Sequence, residues 1–212
     1  MTRVWGSLGV VCFLFAGAFA LMIQGTAWDG QDLLAALDSA DCAAPCFIGI
    51  QPGVTSGSVA YDRLQTHAWV MDVSAILGTA DTLEQSRDAQ FVWRWNGKQP
   101  SVLRTPFLDA GEIDVQTGFV RSIKIRTVIP MGAVWLMLGK PEYGFTRRSK
   151  IYLGRIAYQQ AYYPAKGLLV QSQVQYPSSP DEFWNAPVEF FITVDMAQNS
   201  GYQSPCWLRC DE

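Results

Sequence analysis

The chain has 212 residues, with sixteen Lys and Arg against nineteen Asp and Glu, a formal charge of −3 and a single His. A balance this close to neutral excludes a nucleic-acid binder that works through overall positive charge. Apolar residues at 49% and charged residues at 17% exclude a disordered chain and supply a core for one domain or two small units.

The run from Val4 to Ile23 carries no charge and has no polar face. At about 1.5 Å per residue it reaches ~30 Å, the hydrocarbon thickness of a bilayer. Arg3 precedes it, and Asp29, Asp32, Asp38 and Asp41 follow before the next base, Arg63. The positive-inside rule then predicts a cytoplasmic N-terminus and an extracytoplasmic body on a single-pass membrane protein. Two readings of residues 1–25 stand: an uncleaved signal-anchor, or a signal peptide cut after Ala18-Phe19-Ala20, which gives a secreted or periplasmic product.

Residues 26–51 read as a short helix and a linker. Leu33, Leu34 and Leu37 form one apolar stripe, and Pro45 stops it. The linker holds Cys42 and Cys46, and the far end of the chain holds Cys206 and Cys210. Outside a membrane these four read as two disulfides with three connectivities; a zinc site is the rival, with less suitable spacing. Local closure would join residues only four apart. A cross-link between the two pairs would close a loop of about 160 residues and remove far more unfolded-state entropy. The expected pattern is therefore Cys42 and Cys46 bonded to Cys206 and Cys210.

From Pro52-Gly53-Val54-Thr55 the pattern becomes helical, with Thr55 or Ser56 as cap and Val59, Tyr61 and Leu64 following. Residues 69–89 fit no single period. Phe91, Trp93 and Trp95 then alternate with Val92, Arg94 and Asn96, and Asn96-Gly97 signals a hairpin. Phe107 to Val115 and Phe119 to Arg126 read as a second strand pair around Gln116-Thr117-Gly118. A helix follows Pro130, carrying Val134, Leu136, Met137 and Leu138, with Gly139 as its end. Ile156 to Tyr163, Leu168 to Tyr176 and Val188 to Met196 read as strands. In the second, Val170, Val174 and Tyr176 oppose Gln171, Gln173 and Gln175, so one face is covered.

The order helix-strands, helix-strands predicts an α+β protein: a transmembrane helix, then two tandem helix-plus-antiparallel-sheet units over 52–128 and 129–212. Pro52-Gly53-Val54-Thr55 opening a helix, and Leu138-Gly139-Lys140-Pro141 closing one before strands, resemble the BamE/SmpA-like extracytoplasmic domains. Beta-lactamase inhibitor proteins are similar in carrying two such units in tandem. Cys46 to Thr55, with Tyr162-Tyr163-Pro164 and Gly167-Leu168, also looks like uncharacterised envelope proteins of Chloroflexi-type bacteria. The resemblance implies the tandem fold and an envelope setting, and no catalytic set.

No nucleophile elbow, phosphate loop or metalloprotease motif occurs, and neither a cofactor nor a metal is expected. His67 offers a general base or a capping side chain. Asp109, Glu112 and Asp114 lie close in sequence but lack the spacing of a calcium loop. Between residues 121 and 155 eight bases, Arg121, Lys124, Arg126, Lys140, Arg147, Arg148, Lys150 and Arg155, meet only Glu142. Two readings follow: a face for an anionic partner, or internal pairing with the acidic remainder of the chain. Tyr162, Tyr163 and Trp184 flank loops, where aromatic side chains serve either recognition or anchoring.

The functional expectation is a membrane-tethered, non-catalytic binding or scaffold module of the cell envelope. Its partners would be the membrane, through residues 4–23, and an envelope protein or anionic polymer. A secreted inhibitor or ligand-binding protein, and an envelope enzyme using carboxylates, are the alternatives.

Overall fold

A computed structural model describes residues 37, 42, 45–77, 88–104, 110–151 and 154–193. Eight strands form one antiparallel sheet: β1 (Val70–Leu77), β2 (Ala89–Trp95), β3 (Gly111–Gln116), β4 (Phe119–Pro130), β5 (Tyr143–Ile151), β6 (Gly154–Tyr163), β7 (Leu168–Gln175) and β8 (Pro187–Thr193). Their spatial order is β1-β2-β3-β4-β8-β7-β6-β5. Among the described residues three short α-helices of six or more residues accompany them: α1 (Gly57–Thr66), α2 (Met131–Leu138) and α3 (Pro180–Asn185).

This corrects the expected fold class. The two separate helix-plus-sheet units are replaced by one continuous sheet, because β4 and β8 pair directly from Ser122↔Thr193 to Arg126↔Glu189. The boundary expected between residues 128 and 129 falls inside β4. Against the expected transmembrane helix, among the described residues no helix is long and apolar enough to cross a membrane. The run 4–23 lies outside the described residues.

Strict alternation builds the sheet's two faces. On one lie Phe91 and Trp93 of β2, Ile113 of β3, Ile123 and Ile125 of β4, Phe190 and Ile192 of β8, and Val170 of β7, all essentially fully buried. Helices α1 and α2 pack on this face, and α3 packs on α2 through Trp184 against Trp135. Ala60 and Leu64, one turn apart on α1, and Met131 and Val134 of α2 join the same core cluster. Ser56 caps α1 by accepting from the Val59 N–H at 3.4 Å. Gly139, at φ +79°, ends α2 and donates its N–H to the Trp135 carbonyl at 3.0 Å. A complete capping box, Ser179 with Glu182, starts α3 behind Pro180.

A tight turn at 47–50 fills the core from the N-terminal side. Phe47 and Ile50 exchange two backbone hydrogen bonds at 3.0 and 2.8 Å around Ile48 (φ +52°) and Gly49 (φ +71°). Phe47 reaches the Trp93 and Trp95 rings at 6.2 and 6.5 Å between centroids. Gly111 lets Trp93 lie down: a Cβ there would overlap the indole and the Lys124 carbonyl. Gly167, at φ +61° after β6, receives the Pro45 ring where a Cβ would sit. The segment before the turn thus rests on the far half of the sheet.

Cys42 and Cys46 bond to each other, with Cα atoms 6.1 Å apart. This corrects the expected cross-link to Cys206 and Cys210, both of which lie outside the described residues. That separation lies within the range a disulfide spans. Asn96-Gly97 is also corrected as a hairpin signal. Gly97 has φ +91°, but β2 reaches β3 through the longer segment containing the turn Ser101–Leu103, and the Asn96 side chain donates to the Ala68 carbonyl at 2.7 Å.

Candidate functional site

The second face of the sheet points away from α1 and α2. One register row crosses all eight strands on it: Ser74, Val92, Glu112, Lys124, Phe191, Leu169, Tyr162 and Tyr143. Period two puts the Gln residues of β7 on this face as well, with Gln173 exposed.

The basic segment 121–155 divides into two groups. Arg121, Lys124 and Arg126, on β4, meet carboxylates of neighbouring strands. Arg121 lies 3.9 Å from Asp114, while Lys124 and Arg126 lie 3.0 and 3.4 Å from the two oxygens of Glu189. Lys124 also stands 5.4 Å over the Phe191 ring. Burial pushes the Asp114 carboxyl above its ordinary value; Arg121 works against that, and Glu112 and Asp88 add to it. For these three bases the internal-pairing reading describes what the structure contains.

The other group sits at the end of the sheet. Arg147 and Arg148 are exposed on β5, opposite Tyr158 and Ala157, and Arg155 is exposed beside the β5–β6 turn, in register with Lys150. Arg148 lies 4.8 Å from the centre of the Tyr176 ring. None of the salt bridges among the described residues uses Arg147, Arg148 or Arg155. Lys140 is exposed just after α2, away from β4 in sequence.

The three aromatic candidates do not form one surface. Tyr162 and Tyr163 point to opposite faces and are both buried, at 3% and 5% exposure. Tyr162 stacks on Phe145 with centroids 6.0 Å apart and donates to the Gln160 side-chain oxygen at 3.2 Å. Tyr163 donates to the Gly139 carbonyl at 3.0 Å, and burial pushes its phenol up to about 12. Both anchor structure. Trp184 is 40% exposed and packs edge-on against Trp135, at 5.2 Å, over Gly132.

His67 is the C-cap of α1. Its Nδ1 accepts from the Trp69 N–H at 3.3 Å, and its ring meets Trp69 edge to face. Burial lowers its pKa. Glu112 accepts a short hydrogen bond from the Gln90 amide, and Asp109 lies outside the described residues. Among the described residues no three His, Cys, Asp or Glu side chains converge on a point. A shallow groove runs between β4, β8 and β7, lined by Arg126, Thr127, Gln171, Gln173 and Glu189.

The period-two reading of the sequence overlooked β5. Its one apolar signal is Tyr143 and Phe145 two apart, and Gly144 between them and the Arg pair after them dilute it. No family model, no curated protein and no solved structure matches this chain, so the resemblances drawn from its short motifs receive no support there.

Proposed function

We propose that this chain is an extracytoplasmic, non-catalytic binding module whose cationic β5–β6 hairpin engages an anionic partner of the cell envelope. One observation carries the reading. Arg147, Arg148 and Arg155 are exposed and outside the described salt bridges, whereas Arg121, Lys124 and Arg126 are engaged with carboxylates. Cations left at one end of a slightly acidic molecule form a local attractive field that net charge hides. The Cys42–Cys46 disulfide supports the compartment, since such bonds persist where the medium is oxidising.

The test titrates the full chain with a fluorescent oligoglutamate and with polyphosphate, at low and high salt. Binding should weaken as salt rises. The triple variant Arg147→Glu, Arg148→Glu, Arg155→Glu should bind about tenfold or more weakly while melting like the parent, because exposed charges contribute little to stability. Equal binding by the triple variant sinks the reading.

A further inference from the structure

The two edges of the sheet are built differently. β1, at one edge, pairs with β2 through a register broken twice, between Val70 and Asp72 and between Ala75 and Leu77. Irregularities of this kind twist an edge away from incoming strands. β5, at the other edge, pairs with β6 over nine consecutive residues without a break, from Tyr143↔Tyr162 to Ile151↔Gly154. It contains no Pro, and no described strand pairs with its outer side. Alternate residues along such a strand turn N–H and C=O outward, which is a template for one more strand.

The side chains on this edge select what can be added. Arg147 and Arg148 are neighbours, so they project to opposite faces and flank the edge from both sides. A second copy of the chain docking β5 on β5 would bring this cationic strand against itself, and like charges opposed across a ladder are destabilising. A strand with two adjacent carboxylates would instead meet a guanidinium on each face. An anionic polysaccharide or polyphosphate could neutralise the arginines, but it has no row of alternating amide donors and carbonyl acceptors with which to satisfy the backbone.

We infer that the outer edge of β5 binds an extended acidic polypeptide segment, which adds to the sheet as a ninth strand with its carboxylates on Arg147 and Arg148. The inference rests on the proposed binding role of the cationic hairpin and states its mode. Backbone hydrogen bonds supply the attachment, and the arginine pair supplies the choice of partner.

The experiment uses the full chain and a short fluorescent peptide of Val and Thr with two adjacent Glu residues. Anisotropy gives affinity, and amide hydrogen exchange of Thr146–Ser149 reports strand addition. The expected result is binding with protection of those amides. Binding should fall about tenfold or more for Arg147→Glu/Arg148→Glu, and equally for a peptide whose alternate amides are N-methylated, which removes donors without touching the protein. If the N-methylated peptide or polyphosphate binds as tightly, without protection of β5, strand addition is wrong and the anion-binding role stands. If neither peptide nor polyphosphate binds, both fall. Protection of β5 without peptide, together with concentration-dependent dimerisation, assigns the edge to a second copy and overturns the inference.

Discussion

At the scale of single residues, two glycines do different work. Gly111 lies in regular strand, and its hydrogen is required because the Trp93 ring and the Lys124 carbonyl occupy the space of a side chain. Gly97 has φ +91° and open space around it, so only its backbone angle is special. Gly111→Ala should therefore cost about 3 kcal/mol or more, as overpacking against backbone and a buried indole that cannot yield. Gly97→Ala should cost about 1 kcal/mol, the penalty of a left-handed angle alone. Urea unfolding of the two variants measures both. A reversed ranking would mean that Trp93 has room to move, and that the core on this side is less tightly fixed than its burial suggests.

Among elements, the seam between β4 and β8 turns two meanders into one sheet. Arg126 and Glu189 are direct cross-strand partners there, and Glu189 also holds Lys124. Glu189→Lys sets three cations together and should lower stability by about 1–2 kcal/mol. Exchanging the pair, as Arg126→Glu with Glu189→Lys, restores opposite charges in register and should recover a good part of the loss. A double variant no more stable than Glu189→Lys alone would show that the seam rests on its apolar pairs, Ile123↔Ile192 and Ile125↔Phe190, and not on charge. The strands nearest this seam are the ones that can be read in the sequence. Val188, Phe190 and Ile192 alternate strictly, and so do Leu168, Val170 and Ser172, because one face of each is wholly buried. The two edge strands are the ones that escape. Met71 and Ile76 of β1 are exposed at 56% and 59%, and β5 carries Arg147 and Arg148, so burial imposes no clean period on either. The candidate site inherits that blindness. Its bases stand out as a charge excess, but which three are engaged with carboxylates depends on Asp114 and Glu189, which only the strand order brings near. The α1 cap and the end of α2 were legible for the opposite reason: Ser56 and Gly139 act through local backbone geometry.

For the molecule as a whole, the core does not divide where the chain does. Phe47, Trp93, Ile125, Val134, Leu168 and Phe190 belong to one buried cluster drawn from both halves. A shared core favours a single unfolding transition, with the tryptophan-rich side and the β6–β7 side melting together. The Cys42–Cys46 bond lies at the rim of this core and closes a very short loop. In the chain-entropy model such a loop contributes about 2 kcal/mol, against ~5 for a bond joining the two ends of the body. Cys42→Ser should thus destabilise by about 2 kcal/mol without splitting the transition, as followed by near- and far-UV circular dichroism under urea. Two separated transitions would refute the shared core, and a loss near 5 kcal/mol would point to a longer loop than the one described.

The strand order also fixes a sequence in time. A polypeptide made from its N-terminus completes β4 early, yet the neighbour that closes its second side is β8, the last of the described strands. Everything from Pro130 to Pro187 must be synthesised before the middle of the sheet can exist. Until then the nascent chain holds a four-stranded ribbon whose newest border, lined by Ile123 and Ile125, lacks the strand that will cover it. The innermost seam of the finished sheet is thus one that synthesis allows to close only at the end of the described strands.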